Sequence, residues 1–551
     1  MDHHTQKSTP AWLENAIFYQ IYPQTFYDSN GDGIGDIPGI IAKLDYIQSL
    51  GVTACWLNPC FESPFQDAGY DVADYYKVAD RYGTNDDLKQ LFEAARKRGI
   101  RILLDLVPGH TSIQHAWFNE SCKPEINQYT DYYIWTDSAW TWNIPGYNVV
   151  SGYSQRNGSY LTNFFYFQPA LNFGFANPDP YQPWQQSVDA PGPLRVRQEL
   201  KNIMRFWLEL GASGFRVDMA FSLVKGDTGH RETTKLWQEL RAWLDVEFPD
   251  ACLVSEGGLP SVAIPAGFHM DFCLQFGTPG YTALLRKPYG IGGGADPYSF
   301  SFFDPMGSGN IMEFLDDYLK HYKITHGKGH IALPSGNHDV TPRLSKGRTA
   351  DDLELIFLFL LTMPGVPFIW YGDEIGMRSI DEMVSKEGGF QRTGVRTPMQ
   401  WSNAVNAGFS TAQPEALYLP IDHSPDRPTV QQQEADPNSL FQRVRRLVAI
   451  RKAHPVLQAS ADFEVLYAEP GRYPFVYQRA NGSDTYIIAI NPSSRVADVE
   501  FPCLLSAQPE NIYGSGGNML LQNGKCNISL PGISGSIYRI SKSGSYPSGQ
   551  L

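Results

Sequence analysis

At 551 residues, with 42% hydrophobic and 13% aromatic side chains, the chain is long enough for a large core and more than one domain. The balance of 44 basic against 58 acidic residues gives a formal net charge of −14. That excess of negative charge argues against nucleic acid or an anionic membrane as partner and suits a neutral substrate.

The N-terminal residues Met1-Asp2-His3-His4-Thr5 are polar and show no apolar signal region. No run approaches the roughly 18 apolar residues of a membrane helix. The seven cysteines are scattered, odd in number and without C-x-x-C spacing, which predicts reduced thiols and a cytoplasmic location.

Ile17–Tyr22 is the first predicted strand. The loop after it, Asp28 to Asp36, places oxygen side chains at positions 1, 3, 5 and 9 (Asp28, Asn30, Asp32, Asp36) and glycine at position 6. With the Ile34 carbonyl at position 7, this is the front of a calcium loop grafted on a βα turn. Position 12 is Gly39 rather than glutamate, so a complete EF-hand is not expected. One structural Ca2+ is the cofactor predicted, with a plain polar turn as the alternative.

An amphipathic helix follows, with Ile40, Ile41, Leu44 and Ile47 on one face and Gly51 as its stop, then a strand over Val52–Leu57. Thr84-x-x-Asp87 opens the next helix as a capping box, and Leu88, Leu91, Phe92 and Ala95 face inward. It stops at Gly99 and hands over to a strand at Ile100–Val107. From residue 111 to about 175 periodicity ceases and Tyr, Trp, Asn and Gly accumulate, as expected of an inserted subdomain.

The rhythm resumes with a helix carrying Leu200, Ile203, Met204, Trp207 and Leu208, stopped by Gly211. The strand after it ends in Arg216-Val217-Asp218. A second helix (Leu236, Leu240, Trp243, Leu244) leads to a strand ending at Glu256. The apolar run His330–Leu333 precedes Asn337-His338-Asp339, and a Thr349-capped helix leads to the strand Val366–Trp370. A helix ending near His454 closes the series. Beyond it, short alternating runs separated by Gly, Pro, Asn and Ser predict an antiparallel β-sandwich.

This pattern predicts an α/β fold, a (β/α)8 TIM barrel over 1–110 and 176–458, an insert over 111–175 and a C-terminal sandwich over 459–551. Three strand ends carry a carboxylate, and such ends in a barrel are where chemistry sits. A self-satisfied Arg216–Asp218 pair is the plain alternative for the first of them. Cleavage of a glycosidic bond with retention needs a carboxylate nucleophile and a carboxylic acid about 5–5.5 Å away. Asp218 suits the nucleophile, with Arg216 keeping it ionised. Glu256 suits the acid/base, its pKa raised by burial and negative neighbours. Asp339, beside His338, would stabilise the cationic transition state.

In this order, Asp105-Leu-Val-Pro-Gly-His110, Gly214-Phe-Arg-Val-Asp218, Glu256 and Asn337-His-Asp339 resemble the motifs of glycoside hydrolase family 13, the α-amylase family. The resemblance implies the same three roles and makes His110 and His338 sugar-binding histidines. The positions matching that family's usual calcium ligands hold Gly109, Ala170 and Ser222, so that calcium site is not expected.

Gly69-Tyr-Asp-Val-Ala-Asp-Tyr75, Gln114-His115 with Trp117-Phe118, and Arg396-Thr-Pro-Met-Gln-Trp401 resemble the oligo-1,6-glucosidase, dextran glucosidase and trehalose synthase group. The resemblance implies that Asp71 and Arg396 clasp the terminal glucose and that Tyr70 lies flat against it. It implies a retaining, exo-acting α-glucosidase for short α-linked gluco-oligosaccharides or disaccharides, with possible transglucosylation. The alternative is a trehalose synthase-type isomerase, ahead of an endo-acting amylase or a non-catalytic relative. Met219, next to the nucleophile, matches neither the Val of 1,6-specific nor the Thr or Ala of 1,4-specific relatives.

Overall fold

The computed structural model describes residues 9–274, 277–287, 299–482, 484–503, 508–514, 516–517 and 519–540, so the N-terminal pentapeptide lies outside it. Eight strands close into a parallel barrel: β1 (Phe18–Ile21), β2 (Ala54–Leu57), β3 (Arg101–Leu106), β4 (Gly214–Val217), β5 (Cys252–Ser255), β6 (Met270–Phe272), β7 (His330–Pro334) and β8 (Val366–Trp370). Neighbours in the barrel are neighbours in sequence, and β8 closes on β1 with Phe18 opposite Phe368.

Alternation along the strands sorts side chains between two layers. Phe18, Trp56, Leu103, Val254, Phe272, Ala332 and Phe368 fill the barrel interior, and the Phe18 and Phe368 rings stack at 4.3 Å. The other parity, including Tyr19, Leu104, Phe215 and Leu253, meets the helical sheath. Continuing the inward parity past the interior layer brings Asp105, Arg216, Asp218 and Glu256 to the carboxyl end. The period that packs the core thus aims the chemistry.

The helix Asn85–Lys97 starts on the expected box, Thr84 and Asp87 each capping the other's backbone. Thr349 and Asp352 repeat it for Ala350–Thr362. The helix expected over 40–51 is two, Ile37–Ala42 and Leu44–Leu50, broken where Lys43 leaves helical geometry at φ −104° and ψ 5°. The strand β6 was not foreseen. It has three residues with a carboxylate, Asp271, in the middle.

In the insert, Val149–Ser151 and Ser159–Leu161 form a small hairpin, and His110 bridges Ala170 to tie the insert to the loop after β3. After the last barrel helix, Leu440–Ala453, a five-stranded and a three-stranded antiparallel sheet pack face to face. Val476, Ile487 and Ala489 of one meet Val499, Phe501 and Ile528 of the other. Among the described residues, no helix is long and apolar enough to cross a membrane.

Candidate active site

Arg216 organises the barrel's carboxyl end. One nitrogen, Nη1, donates to Asp105 at 2.9 Å and to Asp218 at 2.8 Å, and Nη2 reaches Glu256 at 2.8 Å. Its side chain is 3% exposed, so it serves these carboxylates rather than solvent. Asp105 is held on its other oxygen by Trp56 Nε1 at 3.1 Å and the Tyr70 hydroxyl at 3.0 Å. Glu256 also accepts from the Met219 backbone N–H at 3.1 Å. That N–H is turned toward Glu256 by a left-handed backbone at Met219, φ +41°, unusual for a side chain of its size.

The segment after Glu256 is fixed by β6. Asp271 accepts from Ser255 Oγ at 2.6 Å and from the backbone N–H of Gly257 and Leu259 at 2.9 and 2.8 Å. A carboxylate inside a short strand weakens the strand signal while anchoring a turn twelve to sixteen residues earlier.

Burial pushes the Glu256 carboxyl up to about 8, assisted by the negative charges of Asp218 and Asp339 and opposed by Arg216. The spacing of Arg216 and Asp218 predicts that the guanidinium holds the carboxylate ionised. Burial instead outweighs that pull and raises Asp218 to about 7, with Asp105 adding to the rise. Asp339 moves the other way. Burial alone would raise it, but the cationic groups around it hold it far below the usual carboxylate range. His338 is the first contributor to that depression, followed by Arg392 and Arg396. Because burial holds the imidazole neutral, the two guanidiniums are the part of the pull that stands at neutral pH.

His338 accepts at Nδ1 from Gln20 Nε2 at 3.2 Å, which leaves the proton on Nε2, facing Tyr70 Oη at 2.8 Å and Asp339 at 3.3 Å. Its ring stacks on Tyr70 at 5.4 Å. His110 is likewise fixed, with Asn163 Nδ2 at 3.1 Å from Nδ1 and the Tyr70 carbonyl 3.2 Å from Nε2. Burial lowers it to about 3, so it too is a neutral donor. Between barrel and insert, Lys225 Nζ donates to Asn163 Oδ1 and the Ser222 carbonyl, each at 2.8 Å.

A cavity of about 440 Å³ opens here, lined by Asp67, Tyr70, His110, Phe164, Asp218, Met219, Phe221, Glu256, Asp339, Arg392 and Arg396 among others. A recess of about 590 Å³ at the barrel's opposite end gathers Arg96, Arg101 and Asp250 but no pair of carboxylates. The size and the convergent polar groups of the first are those of a small-ligand site.

Asp71 is not in this cavity. Its carboxylate is fully buried and accepts from Ser63 Oγ, Gln66 N and Asp67 N at 3.0, 2.9 and 3.0 Å, which makes it the anchor of its own turn. The expected Asp71–Arg396 clasp is therefore corrected. Asp67 is the carboxylate facing the cavity, positioned by Gln168 Nε2 at 2.8 Å. Arg396 does face it, with Nε on the His338 carbonyl at 2.8 Å and Nη2 on Asp339 at 3.1 Å. Arg392, one helical turn earlier in sequence, donates to the same Asp339 oxygen at 2.7 Å and was also missed.

None of the residues of the Asp28–Asp36 loop lines this cavity. Asp28 accepts from the backbone N–H of Asn30, Gly31 and Gly33, and Asp36 from Ser29 and Gly39. A Cβ at Gly33 would come within 2.1 Å of the Ala416 carbonyl, so the close turn requires glycine. Among the described residues, no three His, Cys, Asp or Glu side chains converge as a ligand set. An ion here would have to draw on the Asn30 amide and Ile34 carbonyl oxygens as well, an all-oxygen set of the kind calcium takes.

The family model "Alpha amylase, catalytic domain" matches residues 20–265 and 300–460. The glucan 1,6-alpha-glucosidase of Streptococcus pneumoniae is 31% identical, covering 89% of this chain and 92% of its own. The trehalose synthase/amylase TreS of Mycobacterium tuberculosis is 31% identical over 88% and 82%, and the oligo-1,6-glucosidase of Parageobacillus thermoglucosidasius 30% over 89% and 92%. Among solved structures, an isomaltulose synthase from Erwinia rhapontici in complex with D-glucose superposes with a TM-score of 0.77 at 25% identity, covering 97% and 100%. The motifs, the barrel and these matches agree, and the chain belongs to the α-amylase family, glycoside hydrolase family 13.

Proposed function

We propose that the protein is a retaining, exo-acting α-glucosidase that releases glucose from the non-reducing end of short α-glucosides, with transglucosylation as a side reaction. The observation that carries this reading is one guanidinium holding Asp218 and Glu256 together in a pocket walled by Asp67, Arg392 and Arg396. Two carboxyls on one guanidinium fit the retaining class, spaced about 5–5.5 Å, better than the inverting class at about 6.5–9.5 Å.

In the first step Glu256 gives its proton to the departing glycosidic oxygen while Asp218 attacks the anomeric carbon. In the second, the same Glu256 takes a proton from water or from a sugar hydroxyl, which displaces Asp218. Asp339, kept ionised, faces the developing positive charge and grips sugar hydroxyls, while neutral His110 lines the cavity and neutral His338, behind its lining, positions Tyr70 and Asp339.

A trehalose synthase-type isomerisation is the second reading, favoured by the mycobacterial relative. Incubation with maltose, isomaltose, sucrose and trehalose, with products read by chromatography, tests both. Glucose from maltose supports hydrolysis, and dominant trehalose supports isomerisation. We also propose a cytoplasmic location, on the odd number and scattered spacing of the seven cysteines.

Activity needs Asp218 ionised and Glu256 protonated. Their pKa values of about 7 and about 8 therefore predict a narrow bell in kcat/KM, rising through the lower value and falling through the upper. The limbs belong to the coupled pair rather than to either residue. A profile flat from about pH 5 to about pH 9 would contradict the assignment.

We also propose that Asp28, Asn30, Asp32, Asp36 and the Ile34 carbonyl hold a structural calcium ion. The ion would offset the gathered carboxylate charge and stiffen the loop between β1 and the helix Ile37–Ala42. A chelator is expected to lower the melting temperature more than room-temperature activity, and elemental analysis with added calcium should find one ion per chain.

A further inference from the structure

Arg392, which lines the pocket and donates to Asp339, comes from the segment 381–395, and one carboxylate outside the pocket holds that segment in place. Glu387, its side chain 12% exposed, accepts from Arg81 Nη1 at 3.1 Å and Gln24 Nε2 at 3.2 Å, and the Tyr418 hydroxyl also donates to it. Arg81 is fixed in turn by Gln24 Oε1 at 2.9 Å and by the Phe65 ring, 3.5 Å beneath its guanidinium. Three loops distant in sequence thus meet on one side chain.

Glu387 has φ +47°, a conformation disfavoured for glutamate unless something holds it. The next residue, Gly388, lies so near Asp67 that a Cβ would stand 2.5 Å from its Oδ1. Its carbonyl accepts from Arg392 Nη2 at 2.7 Å while Arg392 Nη1 reaches Asp339 at 2.7 Å. The peptide after the anchor therefore touches Asp67 and Arg392, both of which line the pocket.

We propose that Glu387 is a positioning residue for terminal-glucose recognition, latching the 381–395 segment to Arg81, Gln24 and Tyr418 so that Arg392 sits on Asp339 and Gly388 backs Asp67. It rests on the α-glucosidase reading and extends it to a residue outside the cavity.

The test is a double-mutant cycle of Glu387→Ala with Arg392→Ala, read by calorimetric titration with 1-deoxynojirimycin, a glucose-shaped amine that needs no turnover. Glu387→Ala should weaken binding about tenfold or more, but by less than about twofold once Arg392 is alanine. Glu387→Gln should recover part of the loss. Glu354→Gln, which breaks a comparable pair with Arg443 away from the pocket, should leave binding unchanged. If Glu387→Ala does not fold, Tyr418→Phe enters the same cycle with a smaller loss. Equal losses in both backgrounds, or none, would overturn the latch. A wild type that binds the probe but frees no glucose from maltose overturns the activity while the cycle still decides the latch. A wild type that does not bind the probe overturns both.

Discussion

Asp218→Ala is expected to lower kcat by about 10⁴-fold or more, and Glu256→Gln by about 10²–10⁴-fold, with the fold intact. The first change removes the atom that carries the glucosyl group. The second leaves a side chain with no acidic proton to give and a single carbonyl oxygen, which can accept from Arg216 or from Met219; these two hold different oxygens of the glutamate. At about 1.4 kcal/mol per tenfold, these losses correspond to about 3–6 kcal/mol of barrier. Azide should partly rescue Glu256→Ala on substrates with good leaving groups, because a small anion fits where the carboxylate stood and attacks without base help. A linkage argument separates this from damage to the fold. Both carboxyls have raised folded pKa values, so any stability they lend is present at low pH and lost as pH rises through about 7 to 8. Glu256→Gln should therefore melt no lower than the wild type above about pH 8. Wild-type rates from either variant would remove the assignment.

The catalytic carboxylates were legible because their signal is local. Asp218 and Glu256 each follow directly on a buried strand whose alternation fixes the side they face, and Arg216 two residues before Asp218 shares that side. Asp339 lies beyond the end of β7 at Pro334 and is marked by the Asn337-His338-Asp339 motif instead. Two turns illustrate what was not legible. Asp67 and Asp71 are both carboxylates of one short segment, and periodicity does not decide which enters the pocket. The backbone decides it, because Phe65 and Ala68 adopt left-handed conformations, φ +58° and +52°. They coil the turn onto Asp71 and leave Asp67 outward. Arg392 and Arg396 posed the same problem, four residues apart, and both prove to reach Asp339. No helical spacing marked Arg392: it sits in a 3-10 turn, Phe390–Val395, that Arg396 ends, and the fold of that turn brings both to Asp339. Asp271 was missed for a different reason: its partners lie in the preceding strand and turn, and a three-residue strand leaves too few positions for alternation to register.

The closed end of the pocket makes the second large prediction. Arg396 is 3% exposed and holds the His338 carbonyl and, together with Arg392, Asp339, so its loss leaves the buried carbonyl without that donor and Asp339 less firmly ionised. Breaking such a buried charged contact costs about 2–5 kcal/mol. At about 1.4 kcal/mol per tenfold, Arg396→Ala should lose roughly two or more orders of magnitude in kcat/KM on a disaccharide. Asp67→Ala should also lose kcat/KM with little change in melting temperature, because its carboxylate faces the cavity. Asp71→Ala should do the reverse, lowering the melting temperature because three donors lose their acceptor. The wild type is expected to release glucose and maltohexaose first from maltoheptaose, since a sugar beyond the terminal one would meet Asp67 and the two arginines. Arg396→Ala opens space at that end, so fragments of intermediate length should rise at the earliest times. The same spread from the wild type would mean an open cleft and an endo-acting amylase.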